Sequence, residues 1–458
     1  MEIKHNDIKI PSGNPFVNCK LDRKQYADVL TSIVNAYPEG FVMAVNSAWG
    51  TGKTTFVKMW QQSLTDDGYR TLYFNAWEND LLSDPTIAIL GELKKLLNTK
   101  NEALFKKMLS YGAIFAKNIL PALGKAILKP YIDTDEIADA AENAIKAVTT
   151  IFEKEVDEYT KKKKGIDDFK ILLSEYVEAE KGDHPIVFIV DELDRCRPDY
   201  AVEVLEKIKH FFSVKGIVFV LSIDKEQLGN SVKGFYGSDC INAEEYLRRF
   251  IDVEYMLPIP NYGVFCNYMY GYFQFDTFFE LMDRRMILQQ EDEKGAFKFI
   301  TLTLAKQHSL TLREIEKCFS HARLALNSFP INQYVHPTLF FLLIFLRSHK
   351  PSIYSNIKLK RYKIEELLKE ISDIIEIPKE RVGFNVTYII AEVLVRYNGY
   401  LYLYEDMLLD KEGENLCFTT SIDNAELIRC IKSVRSNRGE GSLEKLIGKI
   451  ELYNKVIL

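Results

Sequence analysis

The sequence predicts an α/β protein: a parallel sheet flanked by helices, carrying a helical insertion and followed by a mostly helical C-terminal region. Three observations lead there. Short runs at 41–45, 71–75, 186–190 and 217–221 are apolar or β-branched, as strands buried in a sheet must be. The segments joining them have helical periodicity, which is what crossovers between parallel strands require. Beyond about Pro260 the strand signals fade and amphipathic helices rich in Phe and Tyr take over.

In chain order, Phe41-Val42-Met43-Ala44-Val45 is an apolar run that ends in a glycine-bearing loop, and a helix is expected from Thr54 through Gln62. Gly68 breaks that pattern before the strand Thr71-Leu72-Tyr73-Phe74-Asn75, completing a βαβ unit. From about Leu81 to Gly182 the patterns are helical, including Glu136 to Tyr159, with no convincing strand; the run Lys161 to Lys164 reads as a solvated turn or helix end. Ile186-Val187-Phe188-Ile189-Val190 is the next strand. Ala201, Val204, Leu205, Ile208, Phe211 and Phe212 then share one helix face, Gly216 ends the helix, and Ile217 to Leu221 is a further buried strand. Val253 to Leu257 is a fifth strand candidate. Helices are expected over Phe273 to Met286 and Leu312 to Asn327, while Thr387 to Val395 fits either strand or helix. The resulting division is a core at 1–260 with an insertion at about 81–183, a helical subdomain at 261–357, and a region at 358–458 of unassigned role.

Two motifs carry chemistry. The run Ser47-Ala48-Trp49-Gly50-Thr51-Gly52-Lys53-Thr54 has what a loop wrapped around phosphate needs: glycines where a Cβ would block approach, a Lys for phosphate charge and a hydroxyl for Mg²⁺. Ser47 stands where the first glycine of that pattern is usual. A buried strand precedes the loop and a helix follows, as the chemistry demands. Ala48, Trp49, Gly50, Thr51, Gly52, Lys53, Thr54 and Thr55 are the candidate nucleotide-binding residues. The second motif is Asp191-Glu192-Leu193-Asp194-Arg195 at the end of another apolar strand. Asp191, with Thr54, is placed to meet a magnesium shell, and Glu192 to polarise an attacking water. Each motif is moderate evidence alone; in this order, each at a strand end, they point to an NTPase that takes ATP and Mg²⁺. Asn-Lys-x-Asp, which reads guanine, does not follow the second motif, so adenine is the default base.

Other residues are open to two readings. Asp194 and Arg195 either extend the site or form an ion pair on a capping turn. Ser222 and Asp224 follow the strand ending at Leu221, where a polar residue can sense the γ-phosphate or cap a helix. Arg248, Arg249 and Arg313 are candidates for a guanidinium that stabilises transferring phosphate, from the same chain or a neighbouring copy. Trp49 and Trp77 read as packing elements rather than a base platform.

Bulk properties set limits. The 458 residues are 47% hydrophobic and the net charge is −6, which gives no bulk electrostatic case for wrapping nucleic acid or lying on an anionic membrane. The seven cysteines have no CxxC or Cys/His spacing suited to zinc and read as reduced thiols of a cytoplasmic protein. Residues Met1 to Asp7 are charged and lack the apolar core of a signal peptide. A membrane-spanning helix needs about 20 consecutive apolar residues. Met108 to Leu128 is interrupted by Lys117, Pro121 and Lys125, and Leu339 to Leu346 lies between His336 and Arg347, so both read as buried helices and no integral membrane span is expected.

The chain resembles the KAP family of P-loop NTPases, a branch related to the STAND signalling ATPases. The resemblance rests on Ala48 to Thr55, Phe74-Asn75-Ala76-Trp77-Glu78, Val190 to Pro198, Tyr246-Leu247-Arg248-Arg249-Phe250 before Leu257-Pro258, and Leu312-Arg313-Glu314-Ile315, spanning about 14–357. It implies a P-loop NTPase parallel sheet in which an extra strand separates the phosphate-loop strand from the acidic strand, with Glu192 as catalytic base beside Lys53. It also implies a helical insertion between the motifs. Bacterial chains of this type resemble components of anti-phage defence systems in which an NTPase gates a separately encoded effector, touching nucleic acid only indirectly. The leading expectation is therefore an ATP-hydrolysing switch, with arginines such as Arg248 and Arg249 acting within the chain or across a homo-oligomer. The rival is a nucleotide-bound scaffold that assembles with a separate effector and turns over little ATP.

Overall fold

Five strands form one sheet in a computed structural model that describes residues 8–81, 84–97, 101–112, 164, 167–211, 214–238, 240–281, 292–330, 333–376, 386–402, 405–436 and 442–452. They are β1 (Val42–Asn46), β2 (Thr71–Asn75), β3 (Ile186–Asp191), β4 (Ile217–Ile223) and β5 (Val253–Met256), all parallel, in the order β2-β3-β4-β1-β5. Strand β4 thus separates β1 from β3, which is the arrangement the resemblance implies. The burial pattern follows position in the sheet. Every residue of β3 and β4 is buried, whereas β2 and β5 at the edges alternate.

Period-two alternation sends side chains to two cores. Met43, Val45, Val187, Ile189, Val218 and Val220 pack on α1 (Lys24–Ala36) and α2 (Lys53–Asp66) through Leu30, Val34, Phe56, Val57 and Trp60. Val42, Phe188, Val190, Phe219 and Leu221 face the opposite layer, where Ile89, Leu93, Leu205, Ile208, Leu228 and Val232 come from the helices Pro85–Leu93, Pro198–Phe211 and Lys225–Tyr236. Helices on both faces explain why the central strands are apolar along their whole length. The described residues of the 81–183 segment include helices at Pro85–Leu93, Glu102–Gly112 and 167–180 and no strand. Glu136 to Tyr159, Lys161 to Lys163 and most of Met108 to Leu128 lie outside the described residues, as does Phe212.

The chain divides into two compact units, 8–259 and 260–458 with 1–7. The second unit is helical. Its Pro337–His349 helix buries every residue from Pro337 to Leu346, as a core helix does. Leu312–Leu326 opens on a capping box, with Thr311 and Glu314 each receiving the other's backbone N–H. The segment 387–395 belongs to the helix Val386–Leu401. A helix from Phe273 to Met286 is not found: Phe273 caps the helix Tyr262–Tyr272, and Asp276–Phe279 is a separate single turn. The reversal runs through Gln274, whose φ is 52°, so the aromatic run folds back on itself instead of continuing. Residues 282–291 of that expectation lie outside the described residues. Among the described residues no helix is long and apolar enough to cross a membrane, and all seven cysteines are free.

Candidate functional site

Strand β1 ends at Asn46, and the chain turns through 47–52 into α2. Gly50 and Gly52 have φ of 76° and 85°, left-handed values that a residue with a Cβ adopts at a cost of roughly 1–2 kcal/mol. Gly52 is the N-cap of α2 and brings no side chain to its free amides; the first turn also holds no acidic residue. Lys53, Thr54 and Thr55 therefore begin a 14-residue helix whose leading N–H groups have no side-chain cap, which leaves them able to meet an anion. Ser47 has a structural part of its own. Thr51 Oγ1 donates to the Ala48 carbonyl at 2.8 Å, which leaves the Ser47 hydroxyl to donate to Thr51 Oγ1, also at 2.8 Å, closing the base of the loop. Lys53 Nζ donates to the carbonyls of Ser47 and Ala48, folded over the loop.

Residues Asp191 and Glu192 stand at the end of β3, two strands away. Asp191 lies in register with Asn75 of β2 and Ser222 of β4. Its Oδ2 accepts from the Tyr73 hydroxyl at 2.7 Å and its Oδ1 from the Glu192 N–H at 3.0 Å. Burial, and then the Asp191 carboxylate, push the Tyr73 phenol well above its ordinary value, so it stays a neutral donor. Glu192 has φ 61°, a left-handed conformation at a non-glycine position. That bend starts the short turn Leu193–Arg195 and brings Arg195 back onto Glu192: Nη1 to Oε1 is 2.6 Å. Asn75 Nδ2 reaches Glu192 Oε2 at 3.4 Å, and the Arg195 guanidinium lies 5.7 Å from the ring of Trp77.

The two motifs meet at Asp194, which is 4% exposed. Its Oδ2 accepts from Trp49 Nε1 at 2.6 Å and from the Asp224 N–H at 2.8 Å, and stands 4.0 Å from Lys53 Nζ. Burial raises the Asp194 carboxyl above its usual value, opposed by Lys53 and by these donors. Burial likewise lowers the Lys53 ammonium, opposed by Asp194, Asp224 and Asp191. Asp224 does two jobs: its side chain caps Lys225–Tyr236 through the Gln227 N–H and accepts from the Trp49 N–H at 3.1 Å. The partner of Arg195 is thus Glu192 and that of Asp194 the loop, not each other. Neither Trp49 nor Trp77 is a packing element; they are 43% and 50% exposed, because each indole sits over polar neighbours at the sheet end rather than in a core.

Lys53 and, through Asp194, the turn that follows Asp191 and Glu192 are therefore gathered with the loop. Arg248 and Arg249 are not. Arg248 is exposed and ion-paired with Glu244 and Glu245 of its own turn, Arg249 is exposed, and among the described residues no hydrogen bond or ion pair joins either to Lys53, Asp191 or Glu192. Arg313 lies in the helix Leu312–Leu326 of the other unit. Three contributors escaped the sequence reading. Tyr73 and Asn75 reach the acidic motif from β2, a pairing visible only once strand register is known. Arg23, at the start of α1, donates to the Gly52 carbonyl from Nη1 at 3.1 Å and to that of Thr51 from Nη2 at 2.7 Å.

Ligand fit can be judged from the donors. Ser222 Oγ is buried at the end of β4 without a hydrogen-bond partner among the described residues, an acceptor or donor left for something above it. Thr54 and Asp191 offer one hydroxyl and one carboxylate, both oxygen donors suited to a hard cation. Among the described residues no group of three or more His, Cys, Asp or Glu converges on one point, so Mg²⁺ here would draw its remaining ligands from phosphate and water.

Among solved structures the chain is similar to the Aeropyrum pernix ORC2 protein in its ADPNP–ADP complexes, at 12% identity over 95% of this chain and 97% of that one, with a TM-score of 0.34. A DNA replication initiation factor matches at 11% identity over 95% of each chain with a TM-score of 0.31. Likenesses this loose support no correspondence between residues. No curated protein matches. The KAP family P-loop domain matches residues 23–265, which is more than half of the chain and includes both strand-end motifs. This chain belongs to the KAP family of P-loop NTPases.

Proposed function

We propose that the chain binds ATP with Mg²⁺ and hydrolyses it as a regulatory switch. The observation that supports this reading best is the uncapped N-terminus of α2 with Lys53 beside it, joined through Asp194 and Trp49 to the acidic end of β3. The amides of the loop and Lys53 bind the phosphates, and Thr54 and Asp191 hold the cation. When bound, Mg²⁺ neutralises charge on the phosphate oxygens. Glu192 accepts the proton of the attacking water as its oxygen bonds to the γ-phosphorus and ADP leaves. Ser222, whose buried hydroxyl has no hydrogen-bond partner among the described residues, reports the γ-phosphate from β4. Arg248 and Arg249, which among the described residues make no hydrogen bond or ion pair to Glu192, act across an interface between copies. The setting we infer is a cytoplasmic complex with a separately encoded effector, of the kind found in bacterial anti-phage defence.

A second reading, a nucleotide-bound scaffold that turns over little ATP, is favoured by one observation: both Glu192 oxygens are engaged, by Arg195 and by Asn75. Steady-state phosphate release with Mg-ATP decides between them. For the switch, Glu192→Gln lowers turnover at least about a hundredfold while ATP binding persists, since positioned general bases contribute that much or more, and Lys53→Ala loses binding. For the scaffold, the wild type binds ATP yet releases phosphate no faster than Glu192→Gln, even when products of neighbouring genes are added. Failure of the wild type to bind Mg-ATP overturns both.

A further inference from the structure

Arg23 is 3% exposed, and its guanidinium lies beneath the phosphate loop. Its two hydrogen bonds go to consecutive carbonyls, those of Thr51 and Gly52. In a trans peptide the C=O and the following N–H belong to one plane and point opposite ways. Fixing the Thr51 carbonyl toward Arg23 therefore turns the Gly52 N–H away from it, into the loop. Fixing the Gly52 carbonyl does the same for the Lys53 N–H, and that carbonyl also accepts from the Phe56 N–H in the first turn of α2. A forked, planar donor suits this task because two carbonyls are held at once in a set relation.

The charge of Arg23 points to the same role. Among the described residues its close bonds are to neutral carbonyls, and the titratable groups that act on it are Cys19 and Tyr26 rather than a carboxylate. Burial lowers the guanidinium to about 10, with Cys19 and Tyr26 opposing, which leaves it fully protonated at neutral pH. A buried cation without a carboxylate partner is unfavourable unless something else supplies the negative charge. Directly above it the loop is built to receive a polyanion.

We propose that Arg23 is a positioning residue for nucleotide: it clamps the Thr51 and Gly52 carbonyls from outside so that the Gly52 and Lys53 amides face the phosphates, and the bound triphosphate supplies its counter-charge. This rests on the nucleotide-binding reading above. It places a determinant of affinity outside both motifs and out of contact with the ligand.

The test measures Mg-ATP affinity by titration, and the melting temperature with and without Mg-ATP, for the wild type, Arg23→Lys and Arg23→Gln. Lys keeps the charge and loses the fork; Gln loses the charge. The expected order of affinity is wild type, then Lys, then Gln. Gln should be at least about tenfold weaker than the wild type, the equivalent of one charge-assisted hydrogen bond. The rise in melting temperature on adding Mg-ATP should shrink in the same order. A purely structural role would instead lower the melting temperature of the nucleotide-free protein and leave the affinities equal; that result overturns the proposal while the nucleotide-binding reading stands. If Arg23→Gln does not fold, Arg23→Lys decides, since wild-type affinity in that variant also overturns it. A wild type that does not bind Mg-ATP removes the reading and the proposal together.

Discussion

Asp194 shows how much one carboxylate can organise. It is neither the residue expected to meet the cation nor the expected base, yet it holds the Trp49 indole, the Asp224 backbone and the neighbourhood of Lys53 together. Asp194→Ala leaves the buried Asp224 backbone N–H without its acceptor and the Trp49 indole N–H without its own. Leaving one such group unpaired costs about 1–3 kcal/mol, so we expect a loss of that order, read as a lower midpoint in urea unfolding. Asp194→Asn retains an acceptor oxygen and should lose less. Equal midpoints for Asp194→Ala and the wild type would mean that solvent replaces these bonds. Ser47 is the contrasting case: its hydroxyl, which a glycine would lack, pairs with Thr51 within the loop.

Among elements, the approach to β1 tolerates substitution poorly at Gly40. Gly40 has φ 104°, and a Cβ built there would stand 2.4 Å from the backbone oxygen of Ile217, the first residue of β4. Gly40→Ala thus meets both left-handed strain and a clash with a strand that cannot move without breaking its pairing. We expect a loss of at least about 2 kcal/mol, beyond the roughly 1–2 kcal/mol of conformational strain alone. Gly91, inside the helix Pro85–Leu93, has open space at its Cβ position. Gly91→Ala should therefore stabilise by about 0.4–1 kcal/mol through the unfolded chain and the helix propensity of Ala. Urea unfolding of the pair checks both signs, and Gly40→Ala unfolding like the wild type would show that the β1–β4 edge yields.

At the scale of the whole molecule, the helical unit has a buried polar tie whose contribution depends on pH. Glu392 accepts from His336 Nδ1 at 2.8 Å and Thr338 Oγ1 at 2.6 Å, linking Val386–Leu401 to the start of Pro337–His349. Burial works to raise this carboxyl, but His336, Thr338 and the charge of Arg396 outweigh it and hold it below its ordinary 4.5. A carboxyl whose folded value is depressed binds fewer protons in the native state than in the unfolded one. Its contribution is present in full above 4.5 and is lost as pH falls through the lower, folded value. Glu392→Gln should thus melt lower near neutral pH and depend less on pH on the acid side. Parallel acid limbs for the variant and the wild type would show that Glu392 contributes nothing to the acid sensitivity.

The β-strands and the two strand-end motifs were legible in the sequence because their causes are local. A strand buried on both faces must be apolar throughout, and a loop that wraps phosphate must carry glycine where φ is positive, as at Gly50 and Gly52. The same is true of the capping box at Thr311 and Glu314. Segment 387–395 had no local answer, since its apolar residues fit either period, and packing made it a helix. The company kept by each site residue was settled by tertiary structure alone. Tyr73 and Asn75 meet Asp191 and Glu192 through the register of β2 on β3, Asp194 meets Trp49 across β4, and Arg23 reaches the loop from another helix. These contacts join residues far apart in the chain, and neither periodicity nor spacing carries information about which distant partner a buried charge will find.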